Sequence, residues 1–288
     1  MRNFILSTET ACDLTTEQIN KLNLSIMPMS FYINGNEYNS ATTTLTTVDI
    51  CNEMKNGATT KTSQPNESEI EEYLSGLLQS GKDILHLSFS SAMSGTCASF
   101  KQVAERLNST HTNKIYVVDS LAQSAGLGLL IHIIAEKTDT ENLDILDARD
   151  YAESIKMNIN HFFIVEDLKY LARGGRISPT LATIGNIIKL KPVLYLDNAG
   201  RITQLHKVLG RKKSISTLIE KFVKNYSPIS NKVIICQADC LEEAEYLKTQ
   251  LLHINPDLDI SINPLGPIIT SHAGPGTMAL FTTTAPRI

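Results

Sequence analysis

The stretch that decides the fold runs Ile84-Leu-His-Leu-Ser-Phe-Ser-Ser-Ala-Met-Ser94-Gly95-Thr96 and continues as Cys97-Ala-Ser-Phe-Lys-Gln-Val-Ala-Glu-Arg-Leu107. Leu85, Leu87 and Phe89 alternate at period two, which predicts a mostly apolar strand. Phe100, Val103, Ala104 and Leu107 recur at i, i+3, i+4 and i+7, which predicts an amphipathic helix. Small hydroxyl residues and Gly95 cross from one to the other, with Ser94 or Thr96 available as N-cap. The first N–H groups of a helix have no partner within it, so such a turn suits an anion. No Lys or Arg lies in the turn, and hydroxyl donors favour a small anion such as a carboxylate over a polyphosphate. A capped turn with no ligand accounts for the same residues equally well.

Working outward, 288 residues with 42% hydrophobic and 19% charged describe a folded chain that buries a real core, in one large domain or two ordinary ones. No run approaches the roughly 18 apolar residues that span a bilayer. The first residues turn polar too soon for a signal peptide, so the reading is cytoplasmic. The five cysteines (12, 51, 97, 236, 240) are scattered and odd in number, and read as reduced thiols packed as small hydrophobes. Cys236, Cys240 and His253 match no zinc spacing, and no metal or cofactor is expected.

The net charge of −4 hides an asymmetry. Lys169 to Lys213 holds ten Lys and Arg against one acid, Asp197, a local +9 that leaves −13 on the rest. Such a segment points to an anionic partner or a docking face; a solvated face is the bland alternative. Only Tyr170 and Tyr195 are interleaved with the basic residues, and the acidic remainder argues against nucleic acid.

The first half alternates strand and helix patterns: a strand over 4–7, a helix over 16–22 capped by Asp13 or Thr15, and a strand region over 24–33. A hairpin turn at Asn34–Glu37 follows, then a helix over 47–55. The polar loop Lys61–Asn66 leads into a helix whose Ser68–Glu71 fits a capping box, and after the opening stretch come a strand over 114–118 and helices from Gly126 and over 143–159. This alternation argues for a parallel sheet with helices on both faces. In the second half a strand over 161–165 precedes a basic loop, Leu171–Ser178, and Ser178-Pro179 opens a helix. A hairpin over 192–205, a helix over 215–226, a strand over 232–237 and a helix over 241–252 suggest a second α/β domain with a mixed sheet. The boundary is set at 160, giving domains 1–160 and 161–288.

Familiar catalytic patterns fail. Gly274-Pro-Gly276-Thr-Met-Ala279 matches a dinucleotide fingerprint but has too little chain beyond it for the helix and returning strand. Ser94 is flanked by Met93 and Gly95 and is no nucleophile elbow. Of the seven histidines, His272 stands out beside a glycine-rich turn.

Four segments together carry a resemblance: Thr62-Ser-Gln-Pro65, Ser90-Ser-Ala-Met-Ser-Gly-Thr96, Leu171-Ala-Arg-Gly-Gly-Arg-Ile-Ser178, and Leu265-Gly-Pro with His272-Ala-Gly-Pro-Gly276. Val118-Asp-Ser120 with the Gly126-Leu-Gly128 helix adds a fifth. In this order and spacing the chain resembles the DegV family of bacterial fatty acid-binding proteins, the FakB-type partners of fatty acid kinase. It departs at Glu9-Thr10-Ala11-Cys12-Asp13-Leu14, where the family usually has Asp-Ser-Thr-Ser/Ala-Asp-Leu. The resemblance implies an α/β protein of two domains, a three-layer one with a parallel sheet and one with a mixed sheet, with an acyl chain in a tunnel at their junction. It implies that Thr62, Ser94 and Gly95 bind the carboxylate, with His272 in the same polar network. It implies that Arg173, Arg176 and Arg211 dock the kinase and steady the transferring phosphate. No basic residue is expected at the carboxylate itself.

The function expected on this basis is a monomeric carrier rather than an enzyme. It would bind a long-chain fatty acid and present it to a separate ATP-dependent kinase that makes acyl phosphate for phospholipid metabolism, touching the membrane only transiently for lipid exchange. The enzyme alternative is a stand-alone acyl hydrolase or transferase using Ser94 with His272.

Overall fold

The apolar runs of the first half line up in parallel, and the connections between them are mostly helical. The structure, a computed structural model, describes residues 2–184, 190–227 and 229–287, so Lys189 of the basic segment lies outside the described residues. β1 (Ile5–Glu9) passes through a 3-10 turn over Thr10–Cys12 into α1 (Thr16–Lys21), which Thr15 caps in a capping box with Gln18. β2 (Leu24–Met27) returns parallel to β1. β3 (Ser30–Ile33) and β4 (Asn36–Asn39) form an antiparallel hairpin through Asn34 and Gly35, both at positive φ. The strand region expected over 24–33 is thus two strands of different sheets, divided at Pro28, which has no N–H to give a ladder.

α2 (Thr47–Lys55) precedes β5 (Thr60–Ser63), which pairs with β3 on the side away from β4. The polar loop expected at Lys61–Asn66 therefore begins as a strand, and Thr62 sits in it. α3 (Glu67–Leu78) is capped by Asn66 with Glu69, two residues before the box the sequence suggested. β6 (Ile84–Ser88), α4 (Thr96–Thr110) and β7 (Ile115–Asp119) complete a parallel sheet in the order β2-β1-β6-β7. Ile70, Leu74, Phe100 and Val103, from α3 and α4, pack on one face of it with Ile84 and Ile115. α5 (Ser124–Glu141) and α6 (Ile145–Ile155) follow.

The second sheet opens with β8 (Ile159–Ile164). α7 (Lys169–Arg173) occupies the start of the expected basic loop, and α8 (Pro179–Ile184) starts with the Leu181 N–H donating to Ser178 Oγ. Then come β9 (Leu190–Leu196), β10 (Ile202–Leu209), α9 (Arg211–Asn225), β11 (Lys232–Gln237), α10 (Leu241–Ile254) and β12 (Asp259–Pro264). α11 (Pro267–Ala273) and β13 (Met278–Thr283) close the chain. The order is β10-β9-β8-β13-β11-β12, with β11 and β12 parallel and the other pairs antiparallel, a mixed sheet. β13 has every residue buried at the centre of this sheet, which is why the tail carries no alternation to read.

α5 is apolar nearly all round because it is covered on both sides. Its residues share one core with Leu85 and Leu87 of the first sheet and Phe163, Ile234 and Phe281 of the second. Gly128 has to be glycine there: a Cβ would lie 2.7 Å from the Cys12 carbonyl oxygen.

Candidate functional site

Ser94 lies in the turn between β6 and α4, as the spacing predicts, but glycine takes the cap position. Gly95 is the N-cap of α4 and offers no side-chain bond. Ser94 Oγ accepts from the Thr96 N–H at 3.3 Å and is 2.8 Å from Thr96 Oγ1. Thr62 reaches the same place from β5. Its Oγ1 is 2.7 Å from His272 Nε2, at the last turn of α11. Thr62, Ser94, Gly95 and His272 all line one cavity of about 380 Å3. Its walls are otherwise largely apolar, with Phe89, Phe163, Leu171, Ile202, Ile268 and Phe281 among them.

Burial, with Arg176 and Arg173 nearby, pulls His272 down to about 4, so its ring is neutral at physiological pH. A neutral imidazole both donates and accepts, and can pass a hydrogen bond through the Thr62 hydroxyl toward the cavity. Its ring rests against Gly174, where a side chain would collide with it. Gly174 of the Arg-Gly-Gly-Arg segment thereby leaves room for His272 in the site.

Arg176 departs from the sequence reading. It lines the cavity, half-buried, donates to the Gly174 carbonyl, and has its pKa lowered by burial. The polar end of the cavity therefore does hold a guanidinium. Arg173 is exposed, with its guanidinium 5.5 Å above the Tyr170 ring and Nη2 3.4 Å from Thr60 Oγ1. Arg211 is elsewhere, at the start of α9, bonded through Nε (2.9 Å) and Nη2 (2.6 Å) to Glu243 Oε2 in a separate surface groove.

The basic segment is also partly neutralised. Acids just outside it pair with Lys169 (Asp167, 2.9 Å), Lys191 (Glu166, 2.5 Å), Lys213 (Glu220, 3.0 Å) and Arg211. Among the described residues no group of acids, histidines and cysteines could hold a metal, and no helix is long and apolar enough to cross a membrane.

Two buried features escaped the sequence reading. Glu9, fully buried, accepts from Ser88 Oγ at 2.6 Å and from the Phe89 N–H at 3.1 Å. His86 (3.4 Å) and Ser7 extend this chain to Tyr73. Asp13 accepts from Ser124 Oγ (2.5 Å) and from the Gly266 N–H (3.0 Å), tying the turn after β1 to α5 and to the loop before α11. Burial raises its pKa to about 7. The sequence offered Asp13 as a helix cap, but Thr15 has that task.

The family model described as "Uncharacterised protein, DegV family" matches residues 4–285. The chain belongs to the DegV family. A DegV domain-containing protein of Clostridium perfringens is 34% identical over 285 residues, covering 98% of this chain and 97% of its own. The DegV family protein of Thermus thermophilus, whose solved structure is described as showing fatty acid binding, superposes with a TM-score of 0.86. It is 25% identical and covers 99% of this chain and 100% of its own. DegV of Bacillus subtilis, described as a fatty acid binding protein, gives a TM-score of 0.84 at 24% identity, over 98% and 99% of the two chains. The parallel sheet and the mixed sheet are those of the two-domain DegV fold.

The hydrolase alternative finds no support in this DegV site. His272 Nε2 is engaged with Thr62, Ser94 with Thr96, and the two share no hydrogen bond. A nucleophile needs its base within hydrogen-bond reach.

Proposed function

We propose that this DegV protein binds a long-chain fatty acid, with the acyl chain along the apolar walls and the carboxylate at Thr62, Ser94 and Gly95, and His272 behind Thr62. It then presents that carboxylate to a separate ATP-dependent kinase for conversion to acyl phosphate. The observation that carries the proposal is the cavity itself: the Thr62 and Ser94 hydroxyls and a neutral histidine bonded to Thr62 line a largely apolar space of about 380 Å3. That volume falls in the range of roughly 300–1,000 Å3 usual for small-molecule sites. Each buried methylene contributes about 0.8 kcal/mol, so a long chain supplies the affinity and the polar end only has to orient it. The likeness to the Thermus thermophilus protein supports the same ligand class.

Arg176, in the cavity wall, adds charge complementarity to the carboxylate. Arg173 is exposed, and its assigned role is to meet the kinase or the transferring phosphate. The test is mass spectrometry of small molecules carried by the purified protein, followed by addition of fatty acid, kinase and ATP. A bound acyl chain and partner-dependent acyl phosphate are expected. Neither a bound chain nor uptake of added fatty acid would refute the proposal, and turnover without a partner would return the enzyme alternative.

A further inference from the structure

Gly95 is a glycine in a backbone conformation that does not require one. Its φ of −72° and ψ of −6° are helical values open to any residue, and at an N-cap Ser, Thr, Asp or Asn would bond the first turn better. What excludes a side chain is Gln64. A Cβ at position 95 would stand 2.5 Å from Gln64 Oε1, 3.3 Å from Cδ and 3.4 Å from Nε2. The terminal amide of Gln64 is thus seated on the bare Cα of Gly95.

Gln64 lines the cavity together with Thr62 and Ser94, the hydroxyls that flank it in space. It also lines a neighbouring cleft of about 310 Å3 that contains Tyr73 and Glu69, and so stands on the partition between the two. Among the described residues, no hydrogen bond joins its side-chain amide to the rest of the protein. Gln64 is exposed, and its amide rests against Gly95 in the lining of a cavity that also carries the Thr62 and Ser94 hydroxyls, so it can turn an N–H toward a carboxylate bound there.

We infer that Gln64 is a further carboxylate-binding residue, a neutral N–H donor to the fatty acid head group, and that Gly95 is present to seat it. The inference deepens the fatty acid reading and rests on it.

The test compares hexadecanoic acid with hexadecan-1-ol, which has the same chain and no charge, by displacement of a fluorescent polyene fatty acid from delipidated protein. Gln64→Ala is expected to weaken the acid on the order of tenfold and leave the alcohol within about twofold, the difference between losing a bond to a charged group and to a neutral one. In Gly95→Ala the new methyl meets only the far end of a flexible side chain, so the fold is kept and the amide is displaced. It should reproduce the selective loss, and Gln64→Ala combined with Gly95→Ala should be no weaker than Gly95→Ala alone. Equal loss for acid and alcohol, additive losses in the double variant, or wild-type affinity in Gln64→Ala would each overturn the inference while the fatty acid reading stands. Wild-type protein that takes up neither compound overturns both.

Discussion

Thr62 and His272, 210 positions apart in the chain, meet in a 2.7 Å hydrogen bond at the wall of the cavity. The bond joins the edge strand of a three-stranded sheet to the helix that precedes the central strand of the mixed sheet. Closing the polar end therefore requires both halves of the molecule to be folded and docked.

The His272 side of this pair makes stability pH-dependent. Its pKa falls from 6.5 unfolded to about 4 folded, so between these values the unfolded chain binds the extra proton. Stability is full above pH 6.5 and is lost as pH falls toward 4, by roughly 2–3 kcal/mol from this group. Urea unfolding at pH 7.5 and 4.5 should show this loss in the wild type and a smaller one in His272→Gln. Equal losses would mean that the histidine is not desolvated.

Asp13 works in the opposite sense. Its pKa rises from 3.8 to about 7 on folding, so its contribution is full below pH 3.8 and is lost as pH climbs through 7. Asp13→Asn keeps an oxygen for the Gly266 N–H and can donate to the Ser124 hydroxyl. Relative to wild type it should gain stability between pH 4 and pH 8, by up to about 4 kcal/mol. Parallel stability curves would refute the assignment.

Arg176 and Arg173 should separate by role. Arg176→Ala is expected to weaken fatty acid binding, because the guanidinium lines the cavity. Arg173→Ala should bind fatty acid normally and lower kinase-dependent phosphorylation. Ser94→Ala should loosen carboxylate binding. Fatty acid titrations and a coupled phosphorylation assay read both quantities, and an empty cavity in Arg173→Ala would invalidate the division.

Gly126 faces the buried His161 ring with no room for a methyl group. Gly126→Ala should cost roughly 1–3 kcal/mol as an overpacked core, seen as a lower melting temperature. An unchanged melting temperature would show that the helix can slide away from the mixed sheet.

Periodicity made the parallel half readable. Leu85, Leu87 and Phe89 alternate, the α4 stripe repeats at 3.6, and helix and strand take turns, all properties of neighbours in sequence. The hydroxyls of Thr62 and Ser94 were legible as donors, and with the family resemblance so was their ligand class. Other features depended on which segments meet. β13 is buried on both faces and shows no alternation, and Pro28 splits one apolar run between two sheets.

Arg176 illustrates the difference most clearly. In sequence it belongs to a basic run, and composition alone makes it a surface charge. Packing of the Gly174 backbone against the His272 ring brings it into the cavity wall instead. The sequence by itself determined the kinds of groups available and the local elements that carry them. The tertiary structure decided which of those groups share the cavity, because side chains hundreds of residues apart come within hydrogen-bond reach only when the two sheets pack on α5.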